Sequence, residues 1–152
     1  MNRDRHALGS QRALQLKRRE RQLRLVKRNK VEAPNWVYEV FMRLNAELFA
    51  GQLPRPTLKV GRPGKRWRST SVFRPSLALI VISPDELSRG AQAVEASLLH
   101  EMVHQSLWVK TGRSEHEHGE RFVAEANRIA KHLRWPLVTI HSERLEDWPR
   151  PV

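Results

Sequence analysis

The sequence contains no cysteine and only one tyrosine, and none of its apolar runs approaches the roughly 18 residues of a membrane-spanning helix. Without cysteine, the chain can form neither a disulfide framework nor a cysteine-ligated zinc ribbon. The N-terminus also lacks the apolar core of a secretory signal peptide. We therefore expect a protein without a membrane span, located in the cytoplasm and associated there with the nucleoid or with other DNA.

Acidic residues are scarce at the N-terminal end. Residues 1–32 contain eleven Lys or Arg against three Asp or Glu, and the whole chain of 152 residues has a formal net charge of +12. This predicts a basic tail, residues 1–32, that is disordered or inducibly helical, followed by one compact domain, residues 33–152. Clustered basic residues release counterions from nucleic acid, so Lys17, Arg18 and Arg19 are candidate phosphate contacts. The alternative is a tail that only aids solubility.

The first half of the domain reads as a helix followed by strands. Apolar residues recur at helical spacing over residues 36–48, and Gly51 is placed to end that helix. Short strands are predicted at residues 57–60 and 69–73, with a hairpin loop between them. The apolar run at residues 77–82 predicts a buried strand, which at the sheet edge would align an extended substrate.

The second half of the domain reads as helices. Ser83 can cap a helix and Glu86 completes a capping box. The following helix, from about residue 92 to 110, is apolar nearly all round and should lie in the core, with Gly112 ending it. A further amphipathic helix is predicted to begin near Glu117.

The predicted hairpin loop, GKRWRS, places one aromatic ring among three cations. Such a ring can stack on an unpaired base while the cations contact phosphate. The alternative is a solvated loop whose tryptophan folds onto the core. The candidate nucleic-acid contacts in this loop are Lys65, Arg66, Trp67 and Arg68.

Two histidines flank a glutamate in the segment HEMVH, at His100, Glu101 and His104. Residues four apart on a helix project on the same side, so both imidazoles can reach one ion at Zn–N distances of about 2.0–2.1 Å. Glu101 lies one step around the helix, where it can take a proton from water activated by the metal. The pattern predicts a zinc site with Glu101 as general base. The alternative is a pair of core histidines with ordinary hydrogen bonds.

A catalytic zinc needs three protein ligands and one open position. If the apolar face of the next helix is centred on Phe122, His118 lies about 40° from that direction and His116 about 120° away. We therefore expect His118 to be the third ligand, with Gly119 leaving room for the backbone to approach the first helix. The other side chains with ligand chemistry in the segment remain alternatives: Glu115, His116 and Glu117.

At these residues the sequence resembles the SprT-like (Spartan-like) zinc metallopeptidases. The matching segments are LNAELFAGQLPRPTLKV, LALIVIS, SLLHEMVHQSLWV and HGERF, in the family's order over about residues 36–131. The resemblance implies a compact α+β zincin-type domain. Its small antiparallel or mixed sheet would be joined by an N-terminal helix, a buried HExxH helix and a following helix that supplies the third ligand.

The resemblance also implies one catalytic Zn²⁺ on His100, His104 and His118, with Glu101 as general base. The implied activity is peptide-bond hydrolysis, which in relatives is directed at proteins bound or crosslinked to DNA. The cysteine-rich zinc ribbon and the long C-terminal regions of many relatives are absent from this sequence. We hypothesise that the basic tail supplies an equivalent DNA contact.

Two other functions remain open on the sequence. One is a non-catalytic DNA-associated module whose zinc is structural, with a fourth protein ligand. The other is a zinc hydrolase with a non-peptide substrate. For a peptidase, we expect a monomer whose partners are a protein substrate and DNA.

A peptidase of this kind also needs a group that stabilises the tetrahedral oxyanion besides the metal. Several side chains have suitable chemistry, and the sequence does not choose among them. These candidates are Tyr38, His132, Arg134 and His141.

Overall fold

The computed structural model describes residues 16–17, 30–63, 71–113, 118–140 and 148–149. The chain divides into two units, residues 1–31 and 32–152. In the first unit, Lys17 is exposed. The proposed contacts of Arg18 and Arg19 lie outside the described residues, and the character of the tail stays a prediction. The four loop candidates also lie outside them: Lys65, Arg66, Trp67 and Arg68.

The predicted α+β architecture with a small mixed sheet is confirmed. The strands are β1 (Lys30–Glu32), β2 (Thr57–Gly61), β3 (Ser71–Arg74) and β4 (Leu79–Ile82). The helices are α1 (Asn35–Phe49), α2 (Pro84–Arg89), α3 (Ala91–Thr111) and α4 (Glu120–Leu133), and a 3-10 turn spans Pro75–Leu77. No helix in the described part of the chain combines the length and apolar composition that crossing a membrane requires.

The strand order corrects two predictions. The sheet runs β1-β2-β4-β3, with β2 parallel and β3 antiparallel to β4. Because β4 lies between them, β2 and β3 do not pair, and the prediction of a hairpin between them was wrong. All four residues of β4 are buried, so the apolar run is an interior strand, and β3 is the edge strand beside it.

A buried asparagine fixes the turn that follows α1. Ala50 takes the left-handed conformation, with φ 52°, and Gly51 follows with φ 69°, so the helix ends just before the predicted glycine. The side chain of Asn45 then bonds the chain again at Leu53, donating to its carbonyl at 2.8 Å and accepting from its N–H at 3.1 Å. These two bonds direct the chain from α1 into β2.

The start of α2 follows half of its predicted capping pattern. Ser83 Oγ accepts a hydrogen bond from the Glu86 N–H at 3.3 Å. The Glu86 carboxylate turns instead toward the next helix, where it accepts from Ser97 Oγ at 3.1 Å, and toward Arg89 Nη1 at 3.0 Å. Ser83 is therefore an N-cap, while Glu86 joins α2 to α3.

Helix α3 lies at the centre of the core, as its nearly continuous apolar surface predicts. It ends at Gly112, which has φ 65° and donates to the Trp108 carbonyl at 2.8 Å. Side chains from α1, the sheet and α4 pack around it. The largest fully buried apolar side chains are Val37, Phe41, Leu58, Ile80, Val81, Ile82, Leu98, Leu99, Met102, Phe122 and Ile129.

Candidate metal centre

Three histidine side chains, two from α3 and one from the chain before α4, lie close together. His100 and His104 are one turn apart on α3, and His118 comes from the chain just before α4. One ring nitrogen from each histidine lies within 4.8 Å of the other two. Among the residues that the structure describes, these histidines are the only group of three or more side chains arranged to hold a metal ion.

The position of His118 corrects the reasoning that selected it. The helical-wheel estimate placed His118 on the helix, but α4 begins at Glu120 with Gly119 as its N-cap. A Cβ on Gly119 would meet nothing within 4 Å, so the prediction that this glycine permits a close backbone approach was wrong. Gly119 is extended, and the ring of the preceding His118 lies against that of His100 on α3. The alternative ligands Glu115, His116 and Glu117 lie outside the described residues.

The ring nitrogens of His100 are assigned by its neighbours. Its Nδ1 lies 2.6 Å from the backbone carbonyl oxygen of Trp148. A carbonyl only accepts, so Nδ1 carries the proton and the neutral ring presents a lone pair at Nε2. His100 Nε2 lies 2.9 Å from Nε2 of His118. Two such nitrogens face each other stably only when one carries a proton or both share a cation.

This donor set fits a metal ion. Neutral imidazole nitrogens suit zinc and other late first-row metals, whereas magnesium and calcium prefer oxygen ligands. Two ligands on a tetrahedral zinc are about 3.4 Å apart at the usual Zn–N distances, close to the separation of the two Nε2 atoms. His100, His104 and His118 can therefore hold one metal ion.

The apolar ring of Phe122 packs against all three histidine rings. Its ring centroid lies 5.1 Å from that of His100, 4.8 Å from that of His104 and 4.4 Å from that of His118. Phe122 is fully buried in the first turn of α4. One core side chain therefore positions all three imidazoles, and it couples their arrangement to the packing of α4 on α3.

Glu101 lies beside the histidines in the core. The residue is 4% exposed, and its Oε1 accepts a hydrogen bond from Ser71 Oγ at 2.7 Å. Burial raises the pKa of Glu101 to about 7, although the bonds from the Ser71 hydroxyl and the Phe73 backbone N–H lower it. A dication on the histidines would lower this pKa again, because it favours the charged carboxylate. With the ion bound, the carboxylate would be charged and able to accept a proton.

Two residues at this site had not been identified in the sequence. Ser71 reaches Glu101 from the edge strand, 30 residues earlier in the chain, and Trp148 reaches His100 from 48 residues later. Neither contact has a local signature, because each depends on how distant segments pack.

The candidates for oxyanion stabilisation are not gathered at this site. The Tyr38 hydroxyl donates to Glu32 Oε1 at 2.8 Å and accepts from the Leu58 N–H at 3.0 Å, so it fastens α1 to the sheet. His132 and Arg134 are exposed at the C-terminal end of α4, about 20 Å along the helix from its start. His141 lies outside the described residues.

Comparison with known proteins places the site in a family context. The model of the SprT-like family matches residues 37–142, well over half of the chain and a range that includes the three histidines and Glu101. No curated protein and no solved structure matches the chain. The family match includes all but the first two residues of α1, and it extends through the end of α4. The chain belongs to the SprT-like family.

Proposed function

We propose that this protein is a zinc-dependent peptidase that hydrolyses peptide bonds in protein substrates. The observation that supports this best is the convergence of His100, His104 and His118 beside a buried carboxylate, that of Glu101. Three nitrogen ligands leave a fourth position for substrate or water on a tetrahedral ion, as catalytic zinc sites require. Among the described residues the cluster consists of these three histidines.

The three histidines would hold the ion. When bound, zinc supplies Lewis acidity, which lowers the pKa of water toward about 7 and polarises a substrate carbonyl. Histidine–metal bonds also depend on neutral imidazoles. The hydrogen bond from His100 Nδ1 to the Trp148 carbonyl keeps that ring in the form with a free Nε2 lone pair.

Glu101 would move the proton. Its carboxylate takes a proton from the attacking water and later delivers it to the leaving amine nitrogen. Ser71 Oγ holds Oε1 at 2.7 Å, which fixes the orientation of the carboxylate beside the histidines. Because Glu101 is 4% exposed, bulk water does not compete for these positions.

The edge strand β3 offers a way to align the substrate. β3 is the last strand of the described sheet, and its Ser71 contacts Glu101 directly. An extended peptide that added to this edge would gain backbone hydrogen bonds and pass next to the carboxylate. This assigns to β3 the alignment role that the sequence had suggested for the apolar run at residues 77–82.

We further propose that the substrates are DNA-associated. The support is the composition of residues 1–32, where basic residues outnumber acidic ones by eleven to three. Such a tail binds phosphate without sequence preference, and its affinity falls steeply with salt. Deleting residues 1–30 should therefore weaken DNA binding and reduce its salt dependence, which a salt series measures.

The decisive experiment is cleavage of casein and histone by zinc-loaded protein, with and without single-stranded DNA. Glu101→Gln should bind zinc as the wild type does but lose hydrolysis, because an amide cannot accept the proton. His118→Ala should lose both. A chelator added to the wild type should stop cleavage, and added zinc should restore it.

The controls separate the competing functions. An active Glu101→Gln protein would remove the general-base role. Zinc binding without cleavage of either protein substrate would favour a structural zinc or a non-peptide substrate. Cleavage that is independent of DNA would support the peptidase and contradict the DNA-associated substrate.

A further inference from the structure

The carbonyl of Trp148 sets the tautomer of His100, but the indole of Trp148 has no part in the proposed reaction. Trp148 is 4% exposed, and its neighbour Pro149 is also buried. Its carbonyl oxygen lies 2.6 Å from His100 Nδ1. Both residues lie beyond residues 37–142, the range that the family model matches. We refer to Trp148 and Pro149 as the C-terminal clasp.

The indole of Trp148 is held by aromatic packing. Its ring meets Phe122 edge-on, with centroids 6.1 Å apart and an interplanar angle of 87°. It meets Trp135 at 6.4 Å and 67°. Phe122 in turn contacts all three histidines, so the clasp and the metal ligands share one side chain. The indole Nε1 has no hydrogen-bond partner in the described part of the chain, which indicates that the rings and not the indole N–H hold Trp148.

We propose that the C-terminal clasp positions His100 for metal binding, with Trp148 as its anchor. The buried indole fixes the backbone carbonyl, and the carbonyl fixes the tautomer and the plane of the imidazole. Nε2 then already points toward the ion, because the ring orientation is fixed before the metal binds. Partners of this kind raise the basicity of a ligating histidine and strengthen its metal binding.

The inference rests on the metal site of the proposed function, but not on peptide-bond hydrolysis. It assigns a role at the metal site to Trp148, which lies outside residues 37–142. Phe122 and Trp135 pack against the indole and hold it there. Since a backbone oxygen is the acceptor, the identity of the side chain matters only through burial. An aromatic ring of another kind at position 148 should preserve the contact.

The test is zinc affinity, measured by competition with a chromophoric chelator on full-length protein. Trp148→Ala should weaken zinc binding by about 10- to 100-fold, the range found when groups that hydrogen-bond to metal ligands are removed. Trp148→Phe should bind within a few-fold of the wild type. Trp36→Ala is the matched control, because it removes an indole that packs on the same core from the first turn of α1.

A second measurement addresses the tautomer of His100 directly, first in the wild type and then in Trp148→Ala. In the zinc-loaded wild type, nitrogen NMR of labelled histidine should show the Nδ1 proton of His100 protected from solvent and the metal on Nε2. Trp148→Ala should lose that protection, which a merely structural role would not predict.

Several outcomes would overturn the clasp. These are unchanged zinc affinity in Trp148→Ala, an equal loss in Trp36→Ala, metal on Nδ1 of His100, or a wild type that binds no zinc. If Trp148→Ala does not fold, Trp148→Phe and the wild-type NMR still decide. Zinc binding with the stated tautomer but no cleavage of protein substrates would leave the clasp standing and remove the peptidase.

Discussion

The Ser71 hydroxyl donates a 2.7 Å hydrogen bond to Oε1 of Glu101, linking edge strand β3 to the helix that carries two of the three histidines. Glu101 is buried, so this bond replaces one of the hydrogen bonds that water would otherwise make. It also holds the Glu101 carboxylate close to β3, the edge strand to which we propose that a substrate peptide adds.

Replacing Ser71 with alanine should therefore reduce peptidase activity without removing the metal. A hydrogen bond to a charged group is worth about 1.5–3 kcal/mol, so we expect kcat/KM to fall by about 10- to 100-fold. Zinc affinity should change little. Steady-state kinetics together with chelator competition measure the two effects separately.

The pH dependence of the same variant has a definite sign. The Ser71 hydroxyl favours the charged carboxylate and so lowers the pKa of Glu101. Its loss raises that pKa, and the acidic limb of the kcat/KM profile should move to higher pH. Ser71→Thr keeps the hydroxyl and should keep the wild-type profile. A limb that moves to lower pH in Ser71→Ala would contradict this assignment.

Zinc should stabilise the folded protein. A ligand that binds only the native state at 100 times its Kd adds about 2.7 kcal/mol to the free energy of unfolding. We expect a chelator to lower the Tm of the wild type. His118→Ala should show a much smaller change on chelation, because one of the three ligands is gone. An equal chelator effect in both proteins would place the metal elsewhere.

Glu125 joins α4 to the C-terminal part of α3, where it contacts Ser106 and Lys110. Burial acts to raise its pKa, but hydrogen bonds and charges from Arg128 and Lys110 outweigh this and leave the pKa lowered. Arg128 donates to Oε1 at 2.9 Å, and Ser106 Oγ donates to the same oxygen at 3.1 Å.

The lowered pKa gives Glu125 a stabilising contribution that is present above its unfolded value of 4.5 and is lost as the pH falls through the folded value. Glu125→Gln should lower the free energy of unfolding by about 1 kcal/mol at pH 7, since both cationic partners are half exposed and screened by solvent. The difference from the wild type should shrink below pH 4.5. Urea unfolding at pH 7 and at acidic pH measures it, and a difference that grows on acidification would contradict the sign.

Asn45 should be one of the most sensitive positions on α1. Both of its bonds to Leu53 are buried, and an unsatisfied buried group costs about 1–3 kcal/mol. We expect Asn45→Ala to lower the free energy of unfolding by about 2–4 kcal/mol. Asn45→Asp keeps the acceptor but loses the donor, so it should also destabilise the protein. Exposed Met42→Ala on the same helix is the matched control, measured by the same urea titration.

The local features of the fold were readable from the residues. The 3.6-residue period indicated α1 and α4, the long apolar stretch indicated α3, and the glycine after α3 marked its end, because helix formation and termination depend on neighbours within a few positions. The position of His100 and His104 on one side of the helix was also predictable from local spacing. The helical period alone puts residues four apart on one side.

His118 shows where local reasoning succeeded for the wrong reason. The helical-wheel argument assumed that α4 already included this residue, yet the helix begins two residues later. Its side chain reaches the cluster from a position outside the helix, next to the extended Gly119. The structure brings His118 next to His100 and His104, and the geometry that places it there is tertiary.

The sequence by itself determined the helices, the paired histidines and the family, because each follows from residue types at short, fixed spacing. Only the tertiary structure decided that β4 lies inside the sheet and that β3 forms its edge. It alone joined Ser71 to Glu101 and the Trp148 carbonyl to His100. Strand order and contacts between distant segments depend on which surfaces are buried together across the whole domain, and no short stretch of residues encodes that choice.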